Sequence, residues 1–188
     1  MPEAETAAVR VIENPLSGER IIMPARRVAP NEPLTWELVL APGGRVPSSH
    51  AHPEQEECFT VLAGRMRFRV GWRRLTAGPG DVVRVPPGTV HHFANAGPEP
   101  VRVSVRTTPA LDMAGLLAVA AALARDQQAA GRARPRLTDL ALFMGDFGRE
   151  VRAPLVPRPL VRAALGPLAR LARAAGHDQR YRRAQAGR

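Results

Sequence analysis

Two histidines one residue apart, followed by a carboxylate, concentrate metal-binding chemistry in one short stretch of the sequence. His50 and His52 precede Glu57 in the run GRVPSSHAHPEQEECFTVLAG, which occupies residues 44–64. Alternate side chains of an extended strand share a face, so the two imidazoles lie about 7 Å apart on the same side. Nitrogen and oxygen donors of this kind suit several divalent metals. The same residues also fit two surface histidines beside a solvated acidic run, and this stretch alone leaves both interpretations open.

A second stretch, Gly80–Asn95, supplies a further histidine. Gly80 and the run Pro86–Gly88 predict turns at both ends of a short strand, and His91 follows directly after the second turn. Strand alternation predicts that His91 points inward and that His92 points the other way. A single histidine after a turn is usually structural, so His91 gains its interest from the pair at positions 50 and 52.

Together the two stretches resemble the paired signature of the cupin superfamily. The positions that match the first and second motifs are, in order, Gly44, His50, His52, Glu57 and Gly64, then Gly80, Pro86, Gly88, His91 and Asn95. The resemblance covers roughly residues 36–107. It implies a mainly β fold, a double-stranded β-helix (jelly-roll) barrel, followed here by a C-terminal α-helical extension.

The resemblance also implies a metal centre inside the barrel. One divalent ion (Fe, Mn, Ni, Cu or Zn, among which the sequence does not choose) would be bound by His50, His52, Glu57 and His91. Glu54 and Glu56 are competing carboxylates, but the spacing to Gly64 in the motif favours Glu57. Glu57 is therefore expected to be a ligand and also the catalytic proton acceptor.

Within that superfamily, the chain resembles small single-domain bacterial cupins of the quercetin 2,3-dioxygenase-like type. That likeness implies a dioxygenase acting on a small enol-, phenol-like or aromatic substrate held on the metal. Two alternatives stay open: a non-redox cyclase, isomerase or decarboxylase that uses the metal as a Lewis acid, and a non-enzymatic metal- or ligand-binding module.

The alternation of side chains along the strands predicts a set of inward-facing residues, which are candidates for the lining of an apolar substrate pocket. These residues are Trp36, Leu38, Phe59, Met66, Phe68 and Phe93. Inward aromatic residues of a barrel more often belong to its core, so both roles are possible. Arg45, on the loop before His50, is a candidate for meeting an anionic substrate at the rim, or else a solvated residue.

Short alternating segments separated by Pro and Gly turns predict strands throughout residues 1–108. Residues 66–70 illustrate the pattern, because Met66, Phe68 and Val70 alternate with Arg67 and Arg69. The motifs at 44–95 form the core of this predicted β domain, and the segments with clear strand patterns are Val9–Glu13, Arg20–Ala25, 36–40, Cys58–Leu62, 66–70, Arg73–Thr76, 83–85 and 101–106.

After residue 108 the pattern becomes helical. The predicted helices cover residues 110–128, Thr138–Glu150 and Leu160–Ala175, with Thr108 as the first N-cap and a break or kink at Gly166-Pro167. Helical spacing places one apolar stripe on the third helix, formed by Leu160, Val161, Ala164, Leu165, Leu168 and Leu171. We expect the basic extension, residues 109–188, to pack on the barrel or on a second subunit, which makes a homodimer the expected assembly.

Composition bounds the remaining possibilities. The chain has 188 residues and a net charge of +10, its single cysteine precludes an intramolecular disulfide, and every one of its 27 basic residues is arginine. Residues 125–188 hold 14 arginines and 5 acidic residues, so most of the excess charge lies in the extension. We expect a cytoplasmic location and no membrane span. With 4% aromatic residues and no evident helix-turn-helix, we expect a small-molecule substrate and no nucleic-acid partner.

Overall fold

Nine strands precede three helices in the computed structural model, which describes residues 8–154 and 158–179. The strands are β1 (Val9–Asn14), β2 (Glu19–Pro24), β3 (Leu34–Leu40), β4 (Glu56–Ala63), β5 (Met66–Val70), β6 (Arg73–Ala77), β7 (Val82–Val85), β8 (His91–Asn95) and β9 (Val101–Thr108). The helices are α1 (Met113–Ala129), α2 (Leu137–Asp146) and α3 (Arg158–Ala174). The expected mainly β fold with a C-terminal helical part is confirmed.

The strands form two antiparallel sheets whose order is that of a jelly roll. The larger sheet has the order β1-β2-β3-β9-β4-β7, and the smaller has the order β6-β5-β8. The sheets are not joined into one closed barrel, although isolated bridges link the loop after β3 to β8 at Arg45–Ala94 and His50–His91. Antiparallel strands with one buried face explain why period-two alternation located them in the sequence.

Three aromatic rings hold the two sheets face to face. Phe59 of β4 lies with its ring centroid 5.3 Å from that of Phe68 and 5.6 Å from that of Phe93, which belong to the smaller sheet. All three side chains are buried. Tilted aromatic contacts of this kind add to the burial of apolar area, so this cluster fixes the spacing of the sheets beside the histidines.

Helix α1 covers the part of the larger sheet that the smaller sheet leaves open. Met113, Leu116 and Val119 are buried in the same hydrophobic cluster as the residues of β1 to β3. Arg10 of β1 donates a hydrogen bond from Nη2 to the carbonyl oxygen of Ala114 at 3.2 Å. Since one cluster of buried side chains includes both strands and helices, the boundary at residue 108 stays a prediction about domains.

The predicted start of α1 is wrong. Pro109 to Leu111 are not helical, and the backbone N–H groups of Ala110 and Leu111 donate to the carbonyl oxygens of Glu32 and Pro30. Leu111 also has a φ of 46°, which is incompatible with a right-handed helix. Asp112 is the actual N-cap, and its side chain accepts a hydrogen bond from the N–H of Gly115 at 3.2 Å.

The predicted end of the second helix is wrong. Helix α2 ends at Asp146 rather than Glu150, since the following residues turn back towards the strands. The predicted apolar stripe of the third helix is correct in part. Helix α3 continues through Pro167, and its Leu165 and Leu168 pack against the core, whereas Leu160 and Leu171 are 60% and 67% exposed. Ala169 and Ala172, which the predicted stripe did not include, are buried instead.

No helix in the described ranges combines the length and apolar character needed to cross a lipid bilayer.

The packing of α1 on the strands can be tested with one buried and one exposed apolar residue. Replacing Met113, which is 1% exposed, with alanine should lower the free energy of unfolding by about 2–5 kcal/mol. The matched variant Leu171→Ala removes a side chain that is 67% exposed and should change stability by less than about 0.5 kcal/mol. Urea denaturation would measure both, and equal effects would contradict this packing.

Candidate metal centre

The backbone brings the three motif histidines together by pairing a loop with a strand. His50 and His52 lie in the loop between β3 and β4, and His91 begins β8. The N–H of His50 donates to the carbonyl oxygen of His91 at 3.1 Å, and the N–H of His91 donates back at 2.8 Å. This exchange fixes the register that sets the two side chains beside each other.

The imidazole rings converge on one point between the sheets. The ring centroids lie 5.0 Å apart for His50 and His52, 4.4 Å for His50 and His91, and 5.3 Å for His52 and His91. One nitrogen from each ring lies within 4.8 Å of the other two, a spacing at which a single ion can contact all three. His52 and His91 are buried, whereas His50 is partly exposed.

A backbone carbonyl orients each of the three rings. Nδ1 of His50 faces the carbonyl oxygen of Ser48 at 3.1 Å, and Nδ1 of His91 faces that of Thr89 at 3.2 Å. Nδ1 of His52 forms a short hydrogen bond with the carbonyl oxygen of Glu150. A carbonyl can only accept, so Nδ1 carries the proton in all three rings and Nε2 presents its lone pair, as in metal-bound histidines.

Glu57 is the carboxylate that faces the histidines. Its Oε2 lies 3.3 Å from Nε2 of His52 and 3.2 Å from Nε2 of His91, and its side chain is buried. The competing carboxylates point elsewhere, because Glu54 pairs with Arg149 at 2.7 Å and Glu56 lies 3.6 Å from Arg84. The strand phase of β4 thus separates Glu57 from its neighbour Glu56.

The electrostatics of the cluster favour a shared cation. Burial alone would raise the pKa of Glu57, but the positive charge of His52 and hydrogen bonds from His52 and His91 hold that pKa well below its usual range. Burial likewise opposes the charging of His52, yet the neighbouring Glu57 carboxylate raises the pKa of His52. Burial, together with the positive charges of His91 and His52, lowers the pKa of His50 to about 3. The cluster therefore favours a positive charge at His52 and disfavours one at His50.

These residues fit a divalent metal ion. Nε2 of His52 and Nε2 of His91 are buried without a hydrogen-bond partner in the described structure, and both point at a carboxylate that also offers only lone pairs. Leaving buried polar atoms unsatisfied costs about 1–3 kcal/mol each, and a cation between the lone pairs removes that cost. Three neutral imidazoles and one carboxylate leave net positive charge on a divalent ion.

The glycines and the asparagine of the two motifs support the site without touching it. A Cβ at Gly44 would lie 2.8 Å from the carbonyl oxygen of Ala41, and one at Gly64 would lie 3.0 Å from that of Pro100. The side-chain amide nitrogen of Asn95 lies within hydrogen-bonding distance of the carbonyl oxygens of Leu40, Ala41 and Glu99. Asn95 thereby clamps the loop that begins the first motif.

Residues 36–107 match the family profile of the cupin domain. This range contains both motifs and all four convergent side chains. Residues 36–107 form a cupin domain. Among curated proteins, none matches the sequence.

Several solved structures are similar to part of this chain. A variant of Streptomyces PAC13 solved with uridine is 17% identical with a TM-score of 0.45, covering 54% of this chain and 75% of its own. An RmlC-like cupin from Shewanella frigidimarina is 20% identical with a TM-score of 0.46, covering 57% and 87%. TT1209 from Thermus thermophilus is 25% identical with a TM-score of 0.45, covering 51% and 87%.

The segment after α2 completes the surroundings of the cupin domain's histidines, and the sequence analysis did not predict this contact. Besides the Glu150 carbonyl, which holds His52, the backbone of Arg152 pairs with that of Ala51 through hydrogen bonds of 3.1 and 2.9 Å. Gln55 also reaches across, donating from Nε2 to the carbonyl oxygens of Pro109 and Ala110 at 3.0 and 2.9 Å. The only signal available in sequence was the polar character of this segment, which does not specify a partner.

The apolar residues nominated as a substrate pocket are packed in the core of the domain. The exposed fractions of Trp36, Leu38, Phe59, Met66, Phe68 and Phe93 range from 0 to 6%. Phe59 comes nearest to the histidines, with its ring centroid 6.4 Å from that of His91. Arg45 is exposed and pairs with Ala94 beside His92, on the opposite side of β8 from His91.

The two described cavities lie away from the histidines. A cavity of about 680 Å³ lies between the end of β2 and the start of α1, with Glu150 in its wall. A shallower groove of about 470 Å³ runs over the outer face of the smaller sheet. Since His52, His91 and Glu57 are buried and His50 is partly exposed, the open approach to the centre is from the side of His50.

Replacing His52 with alanine should abolish most metal binding, because it removes one nitrogen ligand and the ring that Glu150 orients. We expect at least about a tenfold loss of affinity for a divalent ion, measured by elemental analysis and by titration of the metal-free protein. His92→Ala is the matched control, since its ring is next to His91 but faces outward. Unchanged metal content in His52→Ala would contradict the assignment.

Metal binding should depend on pH through His52. Because the Glu57 carboxylate raises the pKa of His52, an ion must displace a proton from this pair in mildly acidic solution. Below that pKa, the apparent affinity should fall by about tenfold for each unit of pH. Isothermal titration calorimetry between pH 5 and 6.5 would measure this slope, and an affinity that stays constant over the range would contradict the proton displacement.

Proposed function

We propose that this protein is a metal-dependent cupin enzyme whose divalent ion is bound by His50, His52, Glu57 and His91. The observation that carries the proposal is the arrangement of lone pairs. Nδ1 of each ring faces a backbone carbonyl, and the buried Nε2 atoms of His52 and His91 are left facing the Glu57 carboxylate. When the rings are neutral, these inward-pointing atoms have no donor hydrogen between them, which is the geometry of a cation site.

We further propose that the reaction is of the dioxygenase type, on a small enol-, phenol-like or aromatic substrate. An ion held in this centre would supply a positive charge that stabilises a deprotonated enol or phenol and, where the metal is redox-active, a means of reacting it with dioxygen. The protein's own contribution is to orient the donors, exclude water on three sides and remove the substrate's proton.

Glu57 is our candidate for the group that removes that proton. Burial would raise its pKa, but the neighbouring His52 and His91 rings hold that pKa low. A divalent ion bound to Glu57 would also hold the pKa low, so the carboxylate could take a proton only while its oxygen is detached from the ion. Its burial would then raise its proton affinity towards the range that suits a general base at neutral pH.

The partly exposed His50 sets where a substrate would approach. The other three donors are buried, and the apolar side chains behind them are packed against one another. A planar substrate would therefore reach the centre from the loop that carries Ser48 and His50, with only its acidic oxygen entering among the rings. This geometry favours a substrate with a compact, exposed enol or phenol group over a substrate that must be fully enclosed in a pocket.

Oxygen consumption by the metal-loaded protein tests this proposal. We expect turnover with a member of a panel of flavonols and 1,3-diketones, and a loss of at least about a hundredfold in the variant Glu57→Gln, which keeps the size of the side chain but not its charge. His92→Ala should retain activity. Zinc-loaded protein that converts substrate without oxygen would contradict the redox step and favour the Lewis-acid alternative.

A cytoplasmic location and a homodimer stay predictions for this chain. Light scattering of the purified protein would measure its assembly.

A further inference from the structure

The hairpin of β5 and β6 concentrates positive charge that the composition of the whole region conceals. Residues 1–124 hold 13 arginines and 12 acidic residues, so this part of the chain is nearly neutral overall. Five of those arginines lie between Cys58 and Gly80, and no acidic residue does. The rest of the region therefore carries 8 arginines against 12 acidic residues. The charge excess belongs to one hairpin.

Strand alternation places three of these arginines on the outer face of the smaller sheet. Arg67 and Arg69 of β5 are exposed between the buried Met66 and Phe68, and Arg74 of β6 is exposed as well. Arg69 is directly opposite Arg74 on one side and His92 on the other. Arg74, Arg69 and His92 thus form a row across the sheet, in which the two arginines place like charges directly opposite one another, a destabilising arrangement.

Nothing within the described residues neutralises this row. The carboxylates that form ion pairs in the structure contact Arg20, Arg84, Arg102, Arg149 and Arg173, all outside this hairpin. Arg45 adds to the charge, since it pairs with Ala94 at the same outer face. A surface that keeps unpaired like charges together is complementary to a polyanion.

The shape of this surface indicates which kind of polyanion would fit it. The outer face forms a groove of about 470 Å³ whose floor includes Leu75, Thr76 and Ala94, with Arg67, Arg69 and Arg74 around it. At the tip of the same hairpin, directly after the turn at Gly71, Trp72 is 94% exposed. A groove lined by cations beside an exposed indole ring matches the two needs of an unpaired nucleic-acid strand, phosphate neutralisation and base stacking.

We propose that the outer face of the β5–β6–β8 sheet binds single-stranded nucleic acid, with phosphates on Arg67, Arg69 and Arg74 and a base stacked on Trp72. This proposal replaces the expectation of no nucleic-acid partner, which relied on the low overall content of aromatic residues. An anionic membrane fits less well. Trp72 is the one strongly exposed apolar side chain at this tip, because Val70 and Leu75 beside it are partly buried.

The test uses the full chain and a fluorescently labelled 12-residue oligodeoxythymidylate, with anisotropy measured between 50 and 200 mM NaCl. With three or four phosphate contacts, the logarithm of affinity should fall with the logarithm of salt at a slope of about −2 to −3. Binding should also quench the fluorescence of Trp72, while Trp36, which is 6% exposed, provides an unquenched reference. Absence of salt-dependent binding would overturn the proposal.

Matched variants locate the surface. Arg67→Gln with Arg69→Gln should weaken binding at least tenfold at 50 mM NaCl and reduce the slope by about 1.4. The control pair Arg84→Gln with Arg106→Gln removes the same charge from the outer face of the larger sheet, where both residues lie opposite Cys58. Equal losses in the two pairs would overturn the proposal, since they would show attraction to net charge alone.

Trp72→Ala separates base stacking from charge and also serves if the double variant does not fold, as judged by its melting temperature. We expect a loss of about fivefold or more with the oligonucleotide and no change with inorganic polyphosphate. Polyphosphate binding as tight as that of the oligonucleotide, or tighter binding to phosphatidylserine vesicles that the arginine variants abolish, would overturn the assignment to nucleic acid. Metal content should be the same in all these variants, because His92 and the arginines face away from His91.

Discussion

The hydrogen bonds from three imidazoles to backbone carbonyls are the constraint on which the rest of the site depends. They decide which nitrogen of each ring carries a proton, and hence that three lone pairs and a carboxylate meet at one point. The carbonyls belong to turns and loops that the two sheets hold in place. The turns and loops are held by the jelly-roll packing, by the aromatic contacts between the sheets and by the glycines of the motifs. These features therefore affect metal binding by fixing the orientation of the rings.

The strands could be predicted from sequence because their signal is local. A half-buried antiparallel strand alternates apolar and polar residues whatever its partner is, and β5 shows this in five residues. The four convergent side chains were also found from sequence, since strand phase and motif spacing fix which of the three glutamates near His52 points inward. The strand prediction uses only neighbouring residues, and the site prediction combines two short motifs, residues 44–64 and 80–95.

The helices were harder to place because their limits depend on distant partners. The left-handed backbone of Leu111 puts the start of α1 later than predicted, and α3 buries Ala169 and Ala172 while Leu160 and Leu171 of its predicted stripe stay exposed. No local pattern reports such contacts. The contact between Glu150 and His52 could not be predicted for the same reason. It is made by a backbone carbonyl, which every residue type has, so no residue identity indicates it.

The bond from His52 to Glu150 joins residues 98 positions apart in the chain. At ordinary rates of synthesis, about 5–20 s separate the emergence of the ring from that of the carbonyl that orients it. The strands β4 to β9 are made during that interval, and all nine strands are complete while His52 still lacks the partner that fixes its tautomer. The metal centre therefore acquires its final geometry only after the helical extension has been synthesised as far as Glu150, when most of the polypeptide has been made.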